Sequence, residues 1–530
     1  MVRGAGDQGL GGQGQPRRGE RDRGEEARVV REKRRSFGSA FWFGGGALSS
    51  LRQEVYRLSG RPSNKEIREV ISFVRGELSR YQELLRDYKS YAEEVRKDEW
   101  PFFDLPHPNG SRRKIGSQAF RRLQNLSRKI VSNDPRLAGR MENETFFKLF
   151  SREVSAQIFS DVCIDERQLV EFCITSALQE CIAPRIHFVP CVLPNYSGIS
   201  KFSIGPVRFF KKDDFFSGKI CGDFIDYYGD LERAKEFYQR QNWVACVAID
   251  GFDKKKAQER AFLFVRLAIA SIKVKLDQGL AQWLGTERQS FPNLRNYSFV
   301  SESTNLEMGK VALGWGHKYV LNSGNKSVEH LRSESSRAWF FLVGAFLDRI
   351  IGIPDWSFLE SKIVTALIWS DIGGSPVSNA ERIVAFSNCL EALFVTHENG
   401  KKSQLVERSR LFLEYAGWRP DYNSRVSNFY SKRCDIVHGE EMPLRPELRE
   451  FAEVGKYFSD VCVEGFVNFA YWLLMKHRDE GTKQHLRPFN GRSSFDKAMR
   501  EELPIFFERL SSPLHPTPPA PTFPRHPRET

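Results

Sequence analysis

Apolar positions along this chain follow a helical period, then a strand period, then a helical period again. Ile67, Val70, Ile71, Val74, Leu78, Tyr81, Leu85 and Tyr88 fall on one face of a long helix. Ser63 and Glu66 stand at capping-box spacing ahead of it, and Pro101 is expected to close it. Phe120, Leu123, Leu126 and Ile130 form a shorter helical stripe, and the helical pattern continues from Glu144 to Cys181. Short apolar runs bounded by turn residues then predict strands over Arg185–Val192, Lys201–Phe210 and Trp243–Asp250. A helix over Lys255–Leu276 follows, with Ala257, Ala261, Phe264, Ala268 and Ile272 turned inward. Further strands are expected near Tyr297–Ser301 and Lys310–Leu321, with a turn at Gly314, Trp315, Gly316 and His317.

Beyond Ser333 the period is wholly helical. Arg337–Ile351, Ser361–Trp369, Asn379–His397, Gln404–Gly417, Asn423–Val437 and Arg445–Lys476 are the expected helices, and a bundle of four to six of them is the natural packing. The fold class is therefore α+β, a mixed α/β region followed by an all-α bundle. The expected organisation is a disordered basic tail over 1–40, a helical region over 41–140, a mixed α/β domain over 141–330, a helical domain over 333–482 and a Pro-rich disordered tail over 511–530.

Composition adds constraints. With 530 residues the chain exceeds one core, and 40% apolar against 28% charged residues describes an ordinary soluble protein. Net charge of +13 favours an anionic partner. Gly4, Gly6 and Gly9 match a dinucleotide-binding pattern but have no strand before them or helix after them, so the match is compositional. The nine cysteines include no C-x-x-C pair, which fits reduced thiols. The cluster from Cys163 to Cys191, with His187 inside it, is too widely spaced for zinc, so no metal and no cofactor is expected. No apolar run marks a secretory signal, and the most apolar stretches, Ala338–Leu347 and Val461–Met475, are short or interrupted by charge. A cytoplasmic protein without a membrane partner is expected.

Residues 111–130 carry Arg112, Arg113, Lys114, Arg121, Arg122, Arg128 and Lys129 and no acidic residue. Such a segment can neutralise several phosphates of an RNA, or form a solvated face over an acidic neighbour.

The most suggestive chemistry lies in Asn428–Gly439, NFYSKRCDIVHG. Arg433 is a permanent cation that can hold a phosphate through two parallel hydrogen bonds. His438, five positions on, can move protons near neutral pH. With the preceding SNCLEALF, Ser387–Phe394, this segment resembles the HEPN ribonuclease domain in its ApeA-like branch, whose motif is an arginine, four to six residues, and a histidine. Phe188–Phe210 and Trp243–Ala261 resemble the N-terminal domain accompanying that branch, so the resemblance spans most of residues 150–480.

The resemblance implies a metal-independent endoribonuclease. His438 would serve as general base or acid for attack of an RNA 2′-hydroxyl, and Arg433 would orient the phosphate. Five residues of regular helix turn the two side chains about 140° apart, so the pair cannot converge within one helix. Gly439 is expected to let His438 leave the helical track. The family supplies the rest by homodimerisation, two copies of the motif facing one cleft. It also implies a defence or toxin-type effector, antiviral in purpose, whose N-terminal region senses a regulatory protein or phage trigger. Cys434 stands where the family places a polar residue. Glu391 matches an acidic position of the branch, orienting Arg433 or His438 or serving as a structural partner of a buried arginine. Tyr430, one turn before Arg433, reads as packing, and His397, His477 and His485 as surface residues. The competing reading is a catalytically silent HEPN module that binds RNA or protein. A third is an interaction protein built on the long N-terminal helix.

Overall fold

The computed structural model describes residues 62–87, 89, 92–93, 102–160, 165–180, 182, 184–194, 199–217, 241–286, 298–301, 311–314, 330–375, 377–417, 422–443, 445–479 and 491–511. The tail over 1–40, residues 512–530, His317, His485, Cys163 and Cys181 lie outside them, and so does the remainder of the strand expected over Lys310–Leu321. The fold is α+β, and the described residues divide into two compact units, the first within 62–103 with 114–135 and the second within 104–113 with 136–511.

The first unit packs helix α1 (Asn64–Leu84) against a second helix, which bears Arg121, Arg122, Arg128 and Lys129 of the basic segment. Ser63 accepts from the Glu66 N–H, so the cap forms, but the Glu66 carboxylate turns to Lys129 Nζ at 2.6 Å and does not complete the reciprocal box. Helix α1 stops at Leu84, short of the limit set by Pro101. Two strands, β1 (Phe102–Pro106) and β2 (Arg112–Gly116), pair within the region expected to be helical, and the division between units runs through them. Asn109-Gly110 is the reason. Gly110 takes a positive φ of 84°, and Asn109 Oδ1 accepts from the Ser111 N–H at 3.0 Å, which closes a tight turn. Helix α2 (Ser117–Asn133) begins directly after β2 and buries Leu123, Leu126 and Ile130.

The second unit opens with helices α3 (Asn143–Phe159) and α4 (Glu166–Glu180) and continues into a five-stranded antiparallel sheet. Its strands are β3 (Arg185–Val192), β4 (Lys201–Ile204), β5 (Val207–Lys211), β6 (Trp243–Ile249) and β7 (Gly285–Thr286), in the order β4-β5-β6-β3-β7. The run expected as one strand over Lys201–Phe210 is a hairpin, turned at Gly205 with φ of 54°. β3 and β6 pair over seven positions, from Arg185 opposite Ile249 to Cys191 opposite Trp243. Short helices α5 (Lys212–Ser217) and α7 (Gln278–Ala281) flank the sheet, and strands β8 (Ser298–Ser301) and β9 (Val311–Gly314) form a separate pair.

Helix α6 (Lys254–Val274) joins sheet to bundle. Asp253 caps it by accepting from the Lys256 N–H at 2.8 Å, and an unbroken buried run from Leu267 to Val274 means that it packs on more than one side. One face meets β3 and β6, and another meets helices α8 (Glu334–Ile350) and α9 (Phe358–Gly373). The apolar core consequently runs from Val189 to Phe506, uninterrupted at the expected domain boundary near 330.

The bundle comprises α8, α9, α10 (Asn379–Phe394), α11 (Lys401–Tyr415), α12 (Tyr422–His438), α13 (Leu448–Asp479) and α14 (Arg492–Ser511), seven helices among the described residues against the four to six expected. α14 is the addition. Phe495, Ala498, Met499, Leu503 and Phe506 give it a buried stripe at helical spacing despite the internal Pro504. Capping boxes at Ser357/Glu360 and Ser378/Glu381 start α9 and α10. Phenylalanine rings seat in glycine notches between helices. A Cβ at Gly373 would lie 2.4 Å from the Phe386 ring, and one at Gly455 would lie 2.4 Å from the Phe429 ring. Gly455→Ala is therefore expected to lower stability by about 1–3 kcal/mol through overpacking, read as a fall in the urea midpoint at unchanged slope.

Candidate active site

Val426, Phe429 and Tyr430 are the buried positions of α12, and they dock it against α10 and α13. Arg433 continues that stripe by one turn. It therefore emerges at the edge of the core with its side chain 22% exposed. Its Nη2 lies 3.5 Å from Oε1 of Glu391 on α10, itself 18% exposed, and its Cζ lies 5.8 Å from the Tyr430 ring centroid. Burial, then the Glu391 charge, push the Tyr430 phenol up to about 12. Arg433 Nε is buried with no hydrogen-bond acceptor, which leaves a guanidinium with donor capacity that its own protein does not use.

His438 is the last residue of α12 and is exposed. Gly439, at φ of 80°, closes the helix in a Schellman arrangement, its N–H meeting Ile436 O at 3.3 Å while the Glu440 N–H meets Asp435 O at 2.8 Å. These bonds correct the expectation that Gly439 releases His438. They hold His438 in the last turn, and the chain departs only after it. Arg433 and His438 of one copy accordingly remain about 140° apart around the helix axis.

Cys434 is half-buried and packs on the apolar core with Ile436, so its thiol serves packing. Val437 and Met442, on either side of the cap in sequence, are 43% and 68% exposed. Lys432 Nζ meets Glu441 Oε2 at 2.6 Å, and Arg445 Nε meets its other oxygen at 3.1 Å, which ties the segment after Gly439 back to the helix. The Lys432 bond is the main cause holding the Glu441 carboxyl below its ordinary range.

The basic candidates divide between elements. Arg112, Arg113 and Lys114 lie on strand β2, not on the expected helix, because the hairpin claims them. Arg121, Arg122, Arg128 and Lys129 lie on α2. Several already have partners: Arg112 meets Asp104 at 3.3 Å, Arg122 covers the Phe73 ring at 4.0 Å, and Lys129 meets Glu66. A phosphate would have to compete for these groups.

His397 is at the surface as expected, its side chain 59% exposed, and its Nε2 lies 2.7 Å from Asp496 Oδ2 on α14. Arg408 Nη2 at 2.6 Å and Thr396 Oγ1 at 2.7 Å donate to the other oxygen. Sequence reasoning missed this cluster because α14 was not foreseen. Burial raises the Asp496 carboxyl, but bonds from Thr396, Arg408 and His397 outweigh it and hold the group below 3.8. A carboxylate with a lowered native value contributes its full stability above 3.8 and loses it as pH falls through that lowered value. Wild type should therefore lose more stability than Asp496→Asn on acidification below about pH 4, read by urea unfolding at each pH.

No group of three or more His, Cys, Asp or Glu side chains is placed to hold a metal ion among the described residues. Cys173 and Cys191 are buried free thiols. No helix among these residues is long and apolar enough to cross a membrane. No family model, curated protein or solved structure matches this chain.

Proposed function

We propose that this chain is an endoribonuclease of the HEPN type, in its ApeA-like branch, acting as a homodimer without a metal. The observation that carries the reading is Arg433: half-buried, backed by Glu391 and Tyr430, and left with an unused Nε donor five residues before an exposed histidine. In a phosphodiester complex the guanidinium would take a non-bridging pair of phosphate oxygens and stabilise charge on the phosphorane. His438 would remove the 2′-hydroxyl proton or return a proton to the leaving 5′-oxygen. The 2′-oxygen bonds to phosphorus as the P–O5′ bond breaks, leaving a 2′,3′-cyclic phosphate and a 5′-hydroxyl. Because the nucleophile belongs to RNA, the step needs no activated water.

The two side chains diverge within α12, so a second copy would complete the site, and the exposed Val437 and Met442 suit such a contact. The chain would act in the cytoplasm as a defence or toxin-type effector, with the sheet-bearing region receiving a protein or phage trigger.

The test is incubation of the purified chain with total RNA in excess EDTA. Cleavage with 2′,3′-cyclic phosphate ends, absent on a matched DNA strand, is the expected result. Intact RNA alongside measurable RNA binding would instead assign the silent HEPN module.

A further inference from the structure

Remote from α12, the β4–β5 hairpin turn and helix α8 enclose a cleft of about 570 Å³, within the range of small-molecule sites. Its floor is a backbone-to-backbone contact. A Cβ at Gly205 would lie 2.3 Å from Gly344 O, so a side chain at this point would force the two walls apart. Phe202 and Ser203 line the cleft from the hairpin.

The opposite wall is one stripe of α8. Arg337, Phe341, Gly344 and Asp348 follow one another at intervals of four, three and four residues, the spacing of a single helix face. The stripe is polarised. Arg337, joined by Arg332, stands at the N-terminal end, where the helix dipole adds positive potential, and Asp348 stands at the C-terminal end. At 1.5 Å per residue the charges stand roughly 16 Å apart along the axis. Between them Phe341 is 68% exposed, a large aromatic surface that contributes little to the protein's own core.

We propose that this cleft binds a nucleoside phosphate whose base carries an exocyclic amine. Arg332 and Arg337 meet the phosphate, which guanidinium recognises in bidentate fashion. Phe341 offers its face to the base, since every base has a π-face for an aromatic ring, while Phe202, stacked on Phe209 at 4.8 Å, forms the facing wall. Asp348 accepts from the exocyclic amine at the far end. A fatty acid would use Arg337 but leave Asp348 unmatched, and an uncharged nucleoside would leave Arg337 unmatched. This site is separate from Arg433 and His438, and does not depend on the ribonuclease reading.

The experiment is calorimetric titration of the full chain with AMP, CMP, GMP and UMP in turn, with adenosine and IMP as further arms. At least one of AMP, CMP and GMP should bind with a dissociation constant below about 1 mM, and UMP about tenfold or more weaker. If AMP is the ligand, adenosine and IMP should weaken to a similar degree. Arg337→Ala and Phe341→Ala change exposed side chains, so their unfolding midpoints should match wild type, and each should weaken the bound nucleotide at least about tenfold. Asp348→Asn should narrow the preference over UMP. Absence of binding by all four nucleotides, or unchanged affinity in folded Arg337→Ala and Phe341→Ala, overturns the proposal.

Discussion

Arg433→Ala and His438→Ala will each reduce RNA cleavage by on the order of 10²–10⁴-fold, the range for removing one charge-stabilising donor or one proton-transfer group. Both variants should fold, since His438 is exposed and truncating Arg433 opens a gap at the rim of the core. The two losses should differ in kind. Removing Arg433 weakens phosphate positioning and affects kcat and KM together, whereas His438→Ala should flatten the pH profile near neutrality with KM little changed. Mixing the inactive variants gives a sharper result. In the proposed dimer, the intact arginine of one copy would face the intact histidine of the other, restoring one of two composite sites. With random re-pairing about a quarter of wild-type activity should return. No recovery from re-paired chains would mean that each copy acts alone, against the divergence seen along α12.

Asp371→Ala will cost about 3–5 kcal/mol, the penalty for leaving a buried charge without its counter-ion. Asp371 and Lys273 have side chains 0% and 1% exposed, and the ammonium lies 2.7 Å from the carboxylate. Arg266 Nε closes on the other oxygen at 2.6 Å, from a side chain that is 26% exposed. Burial raises the Asp371 carboxyl, yet the Lys273 and Arg266 charges outweigh it and leave it below 3.8. The contribution is therefore complete above 3.8 and fades only as pH falls through the lower native value. Without Asp371, Lys273 has only the Ser375 hydroxyl at 3.1 Å and a backbone carbonyl as partners. The paired replacement Lys273→Met with Asp371→Leu should recover most of the loss, because apolar groups of similar volume fill the site without desolvating a charge. Urea midpoints of the three proteins decide the matter. A loss below about 1 kcal/mol in Asp371→Ala would place Lys273 in contact with water instead.

This ion pair joins α6, which covers the sheet, to α9 of the bundle, and Lys456 on α13 donates to the Lys273 carbonyl at 3.1 Å. Nothing in the sequence pairs residues about a hundred positions apart. Periodicity reports which face of a helix is buried, not which partner buries it. The same limit explains Glu391 and Arg433, whose ion pair depends on how α10 and α12 pack. Where signals were local, they were legible. Ser63 at a helix start, the stripe from Ala257 to Ile272, and the apolar run Arg185–Val192 became the elements that they imply. Two further local signals mark elements that the expected set does not include. Asn109-Gly110 marks the hairpin that takes Arg112, Arg113 and Lys114 off the helix. The stripe from Phe495 to Phe506 marks α14, masked by Pro504.

By itself the sequence determined the α+β class, the place of most helices and strands, and which residues could carry phosphate chemistry. Those follow from short-range physics: capping, side-chain periodicity and the intrinsic chemistry of arginine and histidine. Only the tertiary structure decided what those residues can do together. The Schellman bonds after Ile436 keep His438 on the helical track, and the packing of α12 on α10 gives Arg433 to Glu391. Arg433 and His438 therefore point apart in one copy, because helix geometry fixes their angle and no local bend relieves it.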